Sequence, residues 1–100
     1  MAEARFVDNG NGNWLLEGEL GVASVPGLLE QAATAMKGRG DIEVDLKGVT
    51  RADSAGLALL VELMRGSSRN GRRIAFNHVP AQLLSIARVC GLEEILPLSK

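Results

Sequence analysis

The stretch from residue 42 to residue 64 constrains the fold more than any other part of the sequence. Residues 42–46 read Ile-Glu-Val-Asp-Leu and indicate a central strand, and residues 47–52 are expected to form a loop that leads out of it. Asp53 and Ser54 then begin an apolar helix that is predicted to extend to about Ser68, since either side chain can accept a hydrogen bond from a free N–H of the first turn. A strand that passes into a helix in this way favours an α/β fold.

An antiparallel hairpin is predicted ahead of this unit. Residues 5–7 and 14–17 are short and rich in apolar side chains, and residues 9–13 between them contain only Asn and Gly. Both residue types tolerate positive φ, which tight hairpin turns require. The chain is therefore expected to begin with two paired strands.

Helical spacing and turn residues predict the remaining elements. Ser24 is expected to cap a first helix, with Pro26 in its first turn, where a missing N–H costs nothing. The other expected elements are a strand at 73–76, a helix that begins at Pro80 with Gly91 as its C-cap, and a turn or short strand at 92–98. Strands joined through helices are expected to be parallel. The sequence thus predicts one α/β domain over residues 1–100, a mixed sheet of about four strands with three helices.

Charge and hydropathy exclude several classes of partner. The net charge is −1 and the basic residues are dispersed, whereas a nucleic-acid-binding domain usually carries a basic stripe and a high pI. We find no apolar run near the about 20 residues that span a bilayer, so we expect no direct membrane insertion. A single cysteine suits a reducing compartment, and the first residues lack the apolar segment of a signal peptide. These features predict a cytoplasmic protein.

The sequence offers little that could catalyse a reaction. His78 is the only histidine and lies in a predicted turn, and Cys90 is expected on the buried stripe of the third helix. We find no spacing typical of a metal site and no glycine-rich loop that opens a helix, as a phosphate site would need. We therefore expect no enzymatic activity, no metal and no cofactor.

The corner Asp53-Ser54-Ala55-Gly56 is the strongest candidate for a binding site. Ser54 could simply be an N-cap. Gly56 in the first turn, however, lowers helix stability by about 1 kcal/mol relative to alanine, which suggests close approach of another backbone, from the same chain or from a partner. Ideal helix geometry places Leu57, Leu60, Val61 and Met64 toward the sheet. The same geometry turns Ala55, Leu59, Glu62 and Gly66 outward. An outward leucine beside small residues predicts a partner-binding face next to Ser54.

Residues 42–64, IEVDLKGVTRADSAGLALLVELM, resemble the STAS domain of anti-sigma factor antagonists. The likeness lies in an apolar strand, a short loop and an Asp-Ser-x-Gly-Leu sequence that begins an apolar helix, and the element order matches over nearly the whole chain. STAS domains are binding modules rather than enzymes. In the sigma-regulating branch, the serine at the position of Ser54 is phosphorylated by a partner kinase, and the phosphate blocks binding to that anti-sigma factor.

A second branch, MlaB, is more similar still. The resemblance lies in Gly18-Glu19-Leu20, in residues 56–60 and in the closing pattern from residue 80 to residue 97. MlaB subunits bind MlaF, the cytoplasmic ATPase of a phospholipid ABC transporter that maintains outer-membrane lipid asymmetry. This resemblance implies a peripheral inner-membrane subunit that never touches the lipid. The expected interface residues are Arg51, Asp53, Ser54, Ala55, Gly56, Leu59 and Glu62. The sequence leaves the alternative open, a phosphorylated anti-sigma factor antagonist.

Overall fold

A computed structural model describes residues 4–98 of the chain, and the order of their elements is the predicted one. The strands and helices are β1 (Arg5–Asp8), β2 (Asn13–Leu20), α1 (Val25–Ala35), β3 (Ile42–Ala52), α2 (Ser54–Arg69), β4 (Ile74–Asn77) and α3 (Ala81–Val89). The four strands form one mixed sheet in the order β1-β2-β3-β4. β1 and β2 are antiparallel, while β3 runs parallel to both β2 and β4. The predicted α/β fold is confirmed.

Backbone conformation explains how the first hairpin turns. Gly10, Asn11 and Gly12 have φ values of 86°, 56° and 80°, a region that most side chains disfavour and that glycine and asparagine tolerate. The amide of Asn13 donates to the carbonyl of Gly10 at 2.9 Å and closes the turn. The Asn/Gly run therefore sets the hairpin, as predicted.

The expected loop at residues 47–52 is instead the second half of β3. β2 continues beside it, with Leu20 opposite Ala52, and two register shifts in β2 accommodate the extra residues of β3. Pairing over this length satisfies backbone groups that a loop would have left to water. As a result the sheet itself extends to the residue before Asp53.

The three helices pack on one face of the sheet, and the side chains on the two faces differ accordingly. Along β3, Ile42, Val44 and Leu46 are buried beneath the helices. The alternate positions, Glu43 and Asp45, are only partly covered, as expected for a strand with one buried and one open face. The core is largely aliphatic, and its aromatic members include Phe6, stacked on Trp14 with ring centroids 4.7 Å apart. The predicted Asp53-Ser54 corner lies where β3 of this sheet passes into α2.

Two local expectations are wrong in detail. Ser24 precedes α1, but its hydroxyl accepts from the amide of Gly21 at 3.0 Å and donates to the carbonyl of Glu19 at 2.7 Å, so it fastens the loop rather than capping the helix. Cys90 is exposed, because α3 ends at Val89 and the chain turns away there through Gly91, whose φ is 74°. The buried stripe of α3 ends one turn earlier.

Candidate functional site

The start of α2 is capped by Asp53. Its carboxylate Oδ1 accepts a hydrogen bond from the amide of Ala55 at 2.8 Å, and its backbone has the extended conformation of an N-cap residue. The carbonyl of Asp53 also accepts from the amide of Gly56 at 2.9 Å. Ser54 is therefore the first helical residue, and the simpler interpretation of Ser54 as the cap is wrong.

The Ser54 hydroxyl is exposed at this corner and has no hydrogen-bond partner among residues 4–98. Because Asp53 already supplies the cap, the fold makes no use of this hydroxyl within the described chain. A polar group that faces water at a capped helix start is free to bond with a partner or to be modified.

Three other parts of the chain hold the corner in place. The amide of Asp53 donates to the carbonyl of Leu20 at the end of β2, at 3.1 Å. The amide of Ala52 donates to the side-chain Oε1 of Gln82 in the first turn of α3, at 3.0 Å. A Cβ atom on Gly21 would lie 3.2 Å from Oδ2 of Asp53, so the loop before α1 also packs closely against the cap. Sequence reasoning missed Gln82, which is 30 residues from Ala52 and carries no local signal.

The predicted outward orientation of Leu59 and Gly66 is wrong. Leu59 is only 1% exposed and belongs to the core. Gly66 is buried, and a Cβ atom there would lie 2.9 Å from Cγ of Met36 on the segment after α1. α2 contacts the sheet and also α1 and α3, which buries a wider arc of the helix than the stripe expected for a helix with one buried side.

Gly56 is buried as well, and the close approach it permits comes from this chain. A Cβ atom at Gly56 would lie 3.0 Å from Cβ of Leu20 and 3.3 Å from Cβ of Ala52. The glycine therefore lets α2 leave the sheet at short distance. Both Gly56 and Leu59 are buried and therefore not available to a partner.

The remaining predicted interface residues are accessible. Arg51, Asp53 and Ser54 are exposed, and Ala55 and Glu62 are half-buried. Ala58, one turn after Ser54, is exposed too and was missed because the ideal projection centred the outer face on Leu59. We call this set the Ser54 surface: Arg51, Asp53, Ser54, Ala55, Ala58 and Glu62. Its side chains are small at the centre and charged at the edges.

A groove of about 660 Å³ adjoins the Ser54 surface. Its walls come from the end of β2 and the loop after it, from α1, from the end of β3 and from the first turn of α3. They include Gly21, Ser24, Arg51, Asp53 and Gln82. Val22, in that loop, is 79% exposed. This exposed valine adds apolar area to a loop whose residues Gly21 and Ala23 line the groove.

The other residues considered for chemistry lie elsewhere. His78 is exposed, and its Nδ1 is 3.0 Å from Oδ1 of Asp45 on the open face of the sheet. Within residues 4–98, no cluster of three His, Cys, Asp or Glu side chains could hold a metal ion. None of the helices in that range is long and apolar enough to cross a bilayer. The described part of the chain brings no nucleophile, base and orienting acid together at Ser54.

A known protein family and a curated protein resemble this chain over most of its length. A family model described as "Mlab, STAS domain" matches residues 15–97, from β2 to the tail after α3. The anti-sigma-B factor antagonist of Bacillus subtilis (strain 168) is 26% identical over 84 residues, which cover 84% of this chain and 77% of that protein. The family match over residues 15–97 includes the corner formed by Asp53, Ser54, Ala55 and Gly56.

Solved structures share the fold. The anti-sigma factor antagonist SpoIIAA in its unphosphorylated form matches with a TM-score of 0.71 at 15% identity, over 97% of this chain and 88% of that one. An anti-sigma factor antagonist from Mycobacterium paratuberculosis matches with a TM-score of 0.76 at 16% identity, over 98% and 85% of the two chains. At these identities the likeness concerns the fold alone.

Proposed function

Because the chain belongs to the STAS domain family, we propose that it is a non-enzymatic subunit that docks on the MlaF-like ATPase of a phospholipid ABC transporter. The match over residues 15–97 to the family model described as "Mlab, STAS domain" supports this branch. In this role the protein is cytoplasmic and reaches the inner membrane only through its partner. It supports the ATPase of a system that maintains outer-membrane lipid asymmetry, and the lipid does not contact it.

The free Ser54 hydroxyl is the observation that carries the docking proposal. Asp53 satisfies the first amides of α2, so Ser54 offers both a donor and an acceptor to an incoming protein. Ala55 and Ala58 beside it are small, which lets a partner backbone approach the helix closely. Arg51 and Glu62 at the edges would set the orientation of the complex, since charges at a rim contribute more to specificity than to affinity.

Affinity purification tests the proposal directly. Tagged protein expressed at native level in its own cells should copurify with an ABC-transporter ATPase, identified by mass spectrometry. The matched control is the same chain with Ser54→Arg, which should recover much less of that ATPase. Recovery of the wild-type protein without any ATPase, under conditions that preserve other transporter complexes, contradicts the proposal.

An anti-sigma factor antagonist is the second candidate, supported by the 26% identical relative from Bacillus subtilis. Here the partner is an anti-sigma factor with serine kinase activity, and Ser54 is its phosphorylation site. A phosphate on the first residue of α2 would be favoured by the partial positive charge of the helix N-terminus. It would also add bulk and charge at the centre of the Ser54 surface, which would block docking.

Phosphorylation separates the two candidates. The purified protein is incubated with ATP and the serine kinases of its own cells, and the sites are mapped by mass spectrometry. The sigma-regulating role requires phosphate on Ser54 and none in the Ser54→Ala variant. If Ser54 stays unmodified while the ATPase copurifies, the second candidate is excluded. Phosphate on Ser54 with a copurifying anti-sigma factor excludes the first.

A further inference from the structure

We infer that Gln82 is a positioning residue for the Ser54 surface, acting through the hydrogen bond with which it holds the end of β3. This inference rests on the proposed function, because the Ser54 surface is where the partner is proposed to bind. The bond joins the amide of Ala52 to Oε1 of Gln82 at 3.0 Å. Gln82 also lines the groove beside that surface.

The end of β3 lacks a neighbouring strand on the side of β4. β4 pairs only with residues 42–45 of β3, so the strand continues alone on that side from there to Ala52. Ala52 is 4% exposed, and a buried amide without a hydrogen-bond partner is unfavourable. The side chain of Gln82 therefore takes the place of the missing strand.

The two sides of β3 hold the corner together. On the side of β2, the amide of Asp53 donates to the carbonyl of Leu20 at 3.1 Å. On the other side, Gln82 holds the residue before it. With both bonds in place, Asp53 is held where its carboxylate can cap α2, and Ser54 next to it is held in a fixed position. Without Gln82, the corner is held from one side only and gains freedom to shift toward or away from α3.

Three variants separate positioning from general stability. Gln82→Met keeps the length of the side chain but removes the acceptor. Gln82→Glu keeps an acceptor and should restore the bond. Asn70→Ala is the matched control, because Asn70 Nδ2 makes one similar bond to the carbonyl of Gly66, at 2.8 Å, at the opposite end of α2.

Amide hydrogen exchange followed by NMR tests the inference without any partner. Gln82→Met should speed the exchange of the Ala52 amide by about two- to tenfold, as expected for the loss of one hydrogen bond, and should also loosen residues 53–55. Gln82→Glu should restore slow exchange, and Asn70→Ala should leave residues 52–55 unchanged. Faster exchange spread evenly over the chain, or none at Ala52, overturns the inference.

Binding to the purified ATPase that copurifies with the wild-type chain gives the second readout. Gln82→Met should weaken the Kd about fivefold, while Asn70→Ala, at a similar loss of Tm, should not. Equal weakening by both variants assigns Gln82 a purely structural role and overturns the inference. Failure of the wild-type chain to bind any ATPase contradicts the proposed function instead. The exchange experiment then decides the role of Gln82 alone.

Discussion

At the start of α2, two adjacent side chains have different roles: one caps the helix and the other is free. The carboxylate of Asp53 accepts a hydrogen bond from the amide of Ala55 and faces the loop that contains Gly21, so it stabilises the fold. Ser54 has no such task within the described chain. Substitutions at these neighbouring positions should therefore have opposite consequences, one for stability and the other for binding.

Replacing Ser54 with arginine is expected to weaken docking strongly without unfolding the domain. Ser54 is exposed, so the longer side chain meets solvent in the free protein. A positive charge at the helix N-terminus costs about 0.3–1 kcal/mol. In the complex the same side chain would collide with the partner, and we expect at least a tenfold weaker Kd by titration calorimetry.

The matched control for this variant is Ser68→Arg. Ser68 is equally an exposed serine of α2, but it lies in the last turn of the helix, where a positive charge is favourable. The Ser68→Arg variant should keep both the wild-type affinity and the wild-type circular dichroism spectrum. Equal loss of binding in the two variants would mean that the partner covers all of α2 rather than its start.

Leu59 is expected to matter for stability rather than for recognition. It is 1% exposed within the core, and truncation of such a leucine to alanine typically costs about 2–5 kcal/mol. Urea denaturation should show this loss for Leu59→Ala, whereas Val89→Ala, at a position 88% exposed, should change the free energy of unfolding little. A stable Leu59→Ala variant that loses only partner binding would restore the original outward prediction.

Arg72 joins elements that are distant in sequence. It precedes β4 and is 9% exposed, yet its guanidinium donates to three backbone carbonyls after and at the end of α1. The acceptors are Ala35 at 2.8 Å, Arg39 at 3.2 Å and Gly40 at 2.8 Å. The carbonyl of Ala35 is one that a helix C-terminus leaves free, and that end of the helix carries partial negative charge. The arginine thus closes α1 against the sheet.

Loss of this guanidinium should lower the stability of the whole domain. We expect Arg72→Met to cost about 2–4 kcal/mol in urea denaturation, because it leaves three carbonyls without their charged donor. The free energy of unfolding of Arg72→Lys should lie between those of the wild type and Arg72→Met. The lysine keeps the charge, but its ammonium cannot reproduce the planar guanidinium that reaches several acceptors. A lysine variant as stable as wild type would show that the charge alone suffices.

The elements that the sequence predicted well are those set by local chemistry. The Asn/Gly hairpin and Pro26 in the first turn of α1 depend on a few neighbouring residues. The same local chemistry placed the start of α2 at Asp53 and Ser54 but did not decide which of the two side chains caps it. The length of β3, the burial of Leu59 and the role of Gln82 depend on elements packed from elsewhere. No periodicity within α2 reveals that α1 and α3 cover its flanks.

At the scale of the whole molecule, one core joins the sheet to all three helices. It extends from Phe6 in β1 to Leu96 in the tail, and β2 and β3 are the central strands of its sheet. The tail joins the sheet too, through a parallel bridge between Leu98 and Phe76. Because no element has a separate core within the described residues, we expect the domain to unfold as one cooperative unit.

Trp14 allows this cooperativity to be measured. It is the only tryptophan of the chain, and it stacks on Phe6 across the hairpin, far in sequence from α2 and α3. If the domain is one unit, urea unfolding followed by Trp14 fluorescence should coincide with unfolding followed by helical circular dichroism. Both curves should give one midpoint and one m-value of about 1–2 kcal/mol/M. A fluorescence transition at lower urea concentration would mean that the hairpin opens while the helices persist. The hydrogen bond from Asp53 to the carbonyl of Leu20 in β2 would then be lost before the rest of the fold.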